Sequence, residues 1–187
     1  MKRLVIALTG ASGQIYGVKA LEILRGKAET HVVVSNSAKI TIGVETEYTI
    51  EYLKNLSNYF YDEGDLKAPI SSGSFKHDGM LIAPCSIKTA ASIAYSISDN
   101  LITRSADVCL KEGRKLILLV RETPLHHGHL EMLAKLAKIG AVIMPPVPAF
   151  YTKPKSVDEI VNQTVSRALE MLGIEVEYPR WTTANSE

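Results

Sequence analysis

The chain has 187 residues, 46% of them hydrophobic and 22% charged, with a formal net charge of +1. That is enough apolar material for one buried core, and too little charge of one sign to draw the protein to nucleic acid or an anionic membrane. Its two cysteines, Cys85 and Cys109, form no C-x-x-C pair, which excludes a disulfide framework and suits a reducing cytoplasm. Met1-Lys2-Arg3 leads into only five apolar residues, too few for a signal peptide, and no run approaches the ~18 apolar residues of a membrane span.

The first apolar run, residues 3–8, reads as a buried strand, and Thr9-Gly10-Ala11-Ser12-Gly13 turns it into a helix starting near Ile15. A second strand, 31–34, runs into Ser35-Asn36-Ser37. Residues 48–78 show the least regular pattern. A third strand, 79–83, is followed by Pro84-Cys85 and by a helix opened by Ser86-Ile87-Lys88-Thr89. "TRSADVCLKEG" places Arg104 and Lys111 two helical turns apart, on nearly one face. The fourth strand, 115–120, ends in Arg121-Glu122-Thr123-Pro124. "HLEMLAKLAKIG" is a helix with Leu130, Leu133, Ala134 and Ala137 on its apolar face and a stop at Gly140. The fifth strand, 141–144, leads into "PPVPAFY", residues 145–151.

The last helix is capped by Ser156 and stopped by Gly173, with a stripe of Val157, Ile160, Val161, Thr164, Val165, Ala168, Leu169 and Leu172 and with Arg167 on its flank. The polar residues 182–187 read as a loose tail. Short strands rich in Val, Ile and Leu that do not alternate, separated by helices, predict one α/β domain over residues 1–181. The expected architecture is a Rossmann-like parallel sheet with helices on both faces.

Ligands of such sheets bind beyond the carboxyl ends of the strands. All five loops there carry small, hydroxyl-bearing, charged or proline-fixed residues. The turn at 9–13 is neither G-x-G-x-x-G nor a P-loop. Its glycines still admit close approach of backbone N–H groups to an anion, and Ser86 and Thr89 open a second helix toward the same crevice. Two helix starts facing one crevice suit a mononucleotide phosphate. A nicotinamide site is disfavoured. Tyr151 and Lys155 make a Y-x-x-x-K, but Pro154 breaks the helix it needs, and the second strand ends in Ser35 with no acid for a ribose. "LHHGHL" has no carboxylate or cysteine cluster beside it, so no metal site is assigned.

Longer stretches carry a more specific signal. "LTGASGQIYG", "PCSIKTAASIA", "DNLITRSADVCLKEGRKLIL", "RETPLHHGHLEML", "GAVIMPPVPAFYTKP", "SRALEMLG" and the "PRW" at 179–181 resemble the UbiX family of flavin prenyltransferases over nearly the whole chain. The resemblance implies a flavoprotein-type fold. It also implies an enzyme that binds FMN and joins a dimethylallyl group, from dimethylallyl phosphate, to N5 and C6 of the reduced flavin without a metal. The product is the cofactor of UbiD-type decarboxylases. By motif match, Gly10, Ala11, Ser12, Ser35, Ser86, Ile87, Lys88, Thr89 and Arg121 hold FMN, and Tyr151 and Arg167 hold the donor phosphate with Arg104 and Lys111 nearby. Ser12, Glu45, Glu122 and Lys111 serve the chemistry, and Trp181 closes the site. The family assembles as a homododecamer with sites where subunits meet. Two alternatives stay open: an FMN-dependent decarboxylase acting directly on an aromatic acid, and a non-catalytic FMN-binding flavoprotein.

Overall fold

Apolar runs covered on both sides leave no room for polar alternation, and these runs become the strands of one six-stranded parallel sheet. The computed structural model describes residues 1–181. Its strands are β1 (Lys2–Leu8), β2 (Ala28–Val34), β3 (Tyr59–Asp62), β4 (Gly79–Cys85), β5 (Lys115–Val120) and β6 (Ala141–Ile143). Its helices are α1 (Gln14–Leu24), α2 (Asn36–Glu45), α3 (Ile50–Leu56), α4 (Ile87–Ala94), α5 (Leu101–Lys111), α6 (His127–Lys138) and α7 (Val157–Met171). The strand order is β3-β2-β1-β4-β5-β6. The chain therefore winds outward from β1 to β3, crosses back, and winds the other way from β4 to β6. The loops after β1 and β4 part at this reversal, and that opens the crevice in which such sheets bind ligands.

Side chains divide by the two-residue period of a strand. Leu4, Ile6, Leu8, Val32, Val34, Leu81, Ala83, Ile117 and Leu119 face one layer, where Val18 and Leu21 of α1, Ile42 of α2, Leu53 of α3 and Val165 and Leu169 of α7 cover them. Val5, Ala7, Val33, Met80, Ile82, Leu116 and Leu118 face the other, under Ile93 of α4, Leu101 and Ile102 of α5 and Leu133 and Leu136 of α6. Gly17 lets α1 lie close on the sheet: a Cβ there would sit 2.4 Å from the Ala83 carbonyl oxygen and 2.5 Å from Leu8 Cγ.

Three expectations are corrected. A sixth strand, β3, lies within the stretch 48–78 that showed the least regular pattern, along with α3. It is a four-residue edge strand, Tyr-Phe-Tyr-Asp, held by pairing with β2 and by Tyr59 and Tyr61 stacking on His31, with ring centres 4.6 and 5.9 Å away. It is too short and too exposed to register as an apolar run. Secondly, α6 starts at His127 and buries Met132, Leu133 and Leu136, while Leu130 is 53% exposed and Ala134 and Ala137 face outward. Apolar residues occupy most of its circumference, so periodicity alone did not fix the face. Thirdly, the stripe of α7 is buried from Val161 onward, but Val157 in its first turn is 74% exposed. Ser156 caps α7 as expected, its Oγ accepting from the Glu159 N–H at 3.2 Å, and Gly173 follows it with φ +77°. Residues 182–187, expected to be loose, lie outside the described residues.

Candidate functional site

The crevice is built on Thr9, which the sequence reading passed over. Its hydroxyl donates to the Pro84 carbonyl at 2.8 Å and accepts from the Ser86 N–H at 2.8 Å, while its own N–H reaches the same carbonyl at 3.2 Å. One buried side chain thus ties the loop after β1 to the loop after β4. Gln14, fully buried, ties the same turn to α1: its Nε2 donates to the Thr9 and Ala11 carbonyls at 2.8 and 2.7 Å, and its Oε1 is buried without a protein partner. The loop after β2 joins through the Ser35 N–H to the Leu8 carbonyl, 3.0 Å, and the loop after β5 through the Arg121 N–H to the Cys85 carbonyl, 3.1 Å. Four of the predicted loops are therefore stitched together. A polar residue closing an apolar run was a legible signal for Thr9; nothing marked Gln14.

Three serine-bearing helix starts face this edge, and their amides are used differently. Gly13, at φ +99°, turns the chain into α1, whose Gly13 and Gln14 N–H groups donate to Glu45 Oε2 at 2.8 and 3.1 Å. The Ser12 hydroxyl also bonds this carboxylate, and Arg121 adds its field. Burial, the largest single influence, works against ionisation of Glu45. Ser12, the two amides and Arg121 together outweigh it and hold the carboxyl below its usual range. The chain's own carboxylate thus accepts from the two amides at the start of α1. At α2, Ser35 Oγ caps the Ala38 N–H at 3.1 Å, and Glu63, another residue not anticipated, accepts from the Asn36 N–H at 2.9 Å.

At α4, Ser86 Oγ caps the Thr89 N–H at 3.3 Å and donates to the Thr89 hydroxyl at 3.1 Å. Among the described residues no carboxylate accepts from its first-turn amides, Ile87 and Lys88. Helix starts with free first-turn amides attract anions in general, and Lys88, in the first turn of α4, is exposed. Glu122 is exposed and accepts from the Thr123 N–H at 3.0 Å, and half-buried Tyr16 lies within the field of Arg121. Burial pushes the Cys85 thiol up to about 12, so its sulfur is no nucleophile at neutral pH.

The remaining predicted residues fall into two other patches. Arg104 donates from Nε to the Ser71 carbonyl at 3.0 Å and pairs with Asp107 at 3.2 Å. Lys111 closes α5, just before β5 begins, at the amino edge of the sheet. Tyr151 and Trp181 meet edge to face with ring centres 5.5 Å apart. Tyr151 also accepts from Gln163 Nε2 at 3.3 Å, and exposed Arg167 bonds Tyr178. Because α5 covers one face of the sheet and α7 the other, Arg104 and Lys111 lie on the opposite layer from Arg167. A groove of 1510 Å³ follows α1, α7 and the segment after Gly173 rather than the carboxyl edge, and charges of both signs line it. In "LHHGHL", His126 caps α6 and pairs its ring with His129 at 3.5 Å, and His127 pairs with Glu131 at 3.2 Å.

The Flavoprotein family matches residues 1–169. A curated relative from Archaeoglobus fulgidus, named flavin prenyltransferase UbiX, is 58% identical over 180 residues, covering 96% of this chain and 99% of its own. A crystal structure of AnUbiX in complex with FMN and dimethylallyl pyrophosphate superposes with a TM-score of 0.95 at 45% identity, covering 97% of each chain. A dodecameric FMN-dependent UbiX-like decarboxylase from Escherichia coli gives 0.94 at 45% identity, covering 96% of this chain and 99% of that one.

Proposed function

The chain belongs to the UbiX family of flavin prenyltransferases, and from that premise we propose that it joins the dimethylallyl group of dimethylallyl phosphate to N5 and C6 of reduced FMN. The observation that carries this reading is the crevice at the strand reversal. It holds an open anion seat at α4 and, across from it, the Ser12–Glu45 pair clasped on α1 beside Arg121.

The donor set fits FMN. The Ile87 and Lys88 amides, the Ser86 and Thr89 hydroxyls and the Lys88 ammonium would take its phosphate, with Ser35 alongside. Gly10, Ala11, Ser12 and Arg121 would border the ring system. When bound, the reduced flavin supplies the nucleophilic positions to which the allyl carbon becomes attached. Glu45, kept ionised, and Ser12, hydrogen-bonded to it, hold and move protons at their own oxygens, and Glu122 stands at the rim.

The leaving phosphate must be stabilised as its C–O bond breaks. Arg167 and Tyr151, with Lys111 and Arg104, are suited to that as preorganised cations and donors. Since the two sheet layers keep them apart in one chain, we assign them to different copies of a homododecamer whose sites are shared between subunits. Trp181 covers the same site. The product serves a UbiD-type decarboxylase, and the work is done in the cytoplasm, where Cys85 and Cys109 remain thiols.

The test is to incubate the protein anaerobically with reduced FMN and dimethylallyl phosphate and to measure the mass of the extracted flavin. A flavin heavier by the added five-carbon unit is expected. Unchanged FMN, together with release of CO₂ from an aromatic acid without a UbiD-type partner, would replace this reading with direct decarboxylation.

A further inference from the structure

Tyr151, Arg167 and Trp181, assigned above to the donor, arrive from three segments: the short turn Phe150–Thr152, α7, and the stretch after Gly173. That stretch is anchored. Ile174 and Val176 are 6% and 9% exposed and pack into the core layer of α1 and α7. Beyond them it crosses the face of α7 formed by Gln163, Arg167 and Glu170, which are spaced so that they share one side of the helix. There Tyr178 donates its hydroxyl to Glu170 Oε2 and accepts from Arg167. Arg180 holds the other oxygen of Glu170 at 2.6 Å and lies over the Tyr178 ring, 4.9 Å from its centre. Trp181, the next residue, reaches Tyr151, whose hydroxyl is held by Gln163.

Arg167 and Glu170 are an i, i+3 pair on a helix, the spacing at which opposite charges pair directly. They are kept apart here by a neutral phenol. Burial and the Glu170 charge push the Tyr178 hydroxyl pKa up, with Arg167 opposing, so it stays protonated and remains a donor at neutral pH. We propose that Tyr178 is a positioning residue that stands between Arg167 and Glu170 and keeps Arg167 available to the donor phosphate, an inference that rests on the prenyltransferase reading. Glu170 is satisfied by the phenol and by Arg180. Arg167 bonds a neutral oxygen, and among the described residues no carboxylate pairs with it. Without the hydroxyl, Arg167 closes on Glu170 and the phosphate must compete with that pair.

The test uses the full chain with reduced FMN. Tyr178→Phe should raise KM for dimethylallyl phosphate about fivefold, the competition an exposed Arg–Glu pair can exert, with kcat near native. Its FMN affinity should be unchanged, which also shows that the variant folds. Tyr178→Leu should act in the same direction. Adding Glu170→Gln to Tyr178→Phe removes the competing charge and should return KM to within about twofold of native. A native-like KM in Tyr178→Phe, or a raised KM that Glu170→Gln leaves raised, overturns the proposal. A native protein that makes no prenylated flavin overturns the functional reading itself, a result visible before any variant is compared.

Discussion

Replacing Thr9 by valine keeps the shape of a side chain that is 1% exposed and removes only its hydroxyl. Two hydrogen bonds of 2.8 Å disappear. The Pro84 carbonyl retains the Thr9 N–H at 3.2 Å, so its loss is partial. The Ser86 N–H has no such reserve. A buried donor left without a partner costs about 1–3 kcal/mol, and the lost bond to a still-paired carbonyl adds less, so the variant should be less stable by about 2 kcal/mol. For a chain of this size that lowers Tm by roughly 4–8 °C. The functional consequence is separate. The hydroxyl fixes the distance between the turn at 9–13 and the start of α4, so FMN affinity should fall by about tenfold beyond what the remaining folded fraction explains. Urea unfolding gives the first quantity and flavin fluorescence titration the second, and Thr9→Ser, which restores the hydroxyl, should recover both. If Thr9→Val binds FMN like the native protein, the tie is only structural. If its stability is also unchanged, the Ser86 N–H has found another acceptor and the argument fails.

Other expectations bear on catalysis, assembly and acid sensitivity. Glu45→Gln should still take up FMN, because Arg121 and the α4 start are the groups proposed to hold it, while single-turnover prenylation slows by ~10²–10⁴-fold; native turnover would leave Glu45 only as the cap of α1. Arg167→Ala and Lys111→Ala should each lose ~10²–10³-fold in prenylation measured in excess EDTA, and refolding the two inactive variants together should restore part of the activity. No recovery in the mixed oligomer would argue that both residues serve one chain's site. The pKa of buried His77 is depressed from 6.5 to about 4, first by burial and then by Arg114. Between those values the unfolded chain binds more protons. The stability this histidine contributes is therefore complete above pH 6.5 and drains away as pH falls toward 4, by up to about 3 kcal/mol. Urea midpoints across that window should drop more steeply for the native protein than for His77→Gln; parallel curves would show that other groups set the acid limit.

Much of this molecule was written locally. The apolar runs gave five strands because a strand covered on both faces must be apolar throughout, and Ser35, Ser86 and Ser156 each cap the helix they precede because capping is a contact within four residues. The resemblance of long ordered motifs supplied the family and a set of site residues. Sequence periodicity failed where its signal was short or degenerate: at β3, whose four residues are held by His31 and the β2 edge, and at α6, whose apolar residues leave two faces to choose from. Packing decided both. Contacts between residues far apart in the chain were beyond any local pattern. The Thr9 hydroxyl spans 77 positions to Ser86, and Glu45 returns 32 positions to occupy the start of α1. The tertiary structure alone determined which helix start is free of carboxylate acceptors among the described residues, because that depends on where distant carboxylates come to rest. It also separated cations that a list of site residues had put together. A sheet covered on both faces holds α5 and α7 on opposite sides, so Arg104 and Lys111 lie on a different layer from Arg167, a separation that no local pattern records.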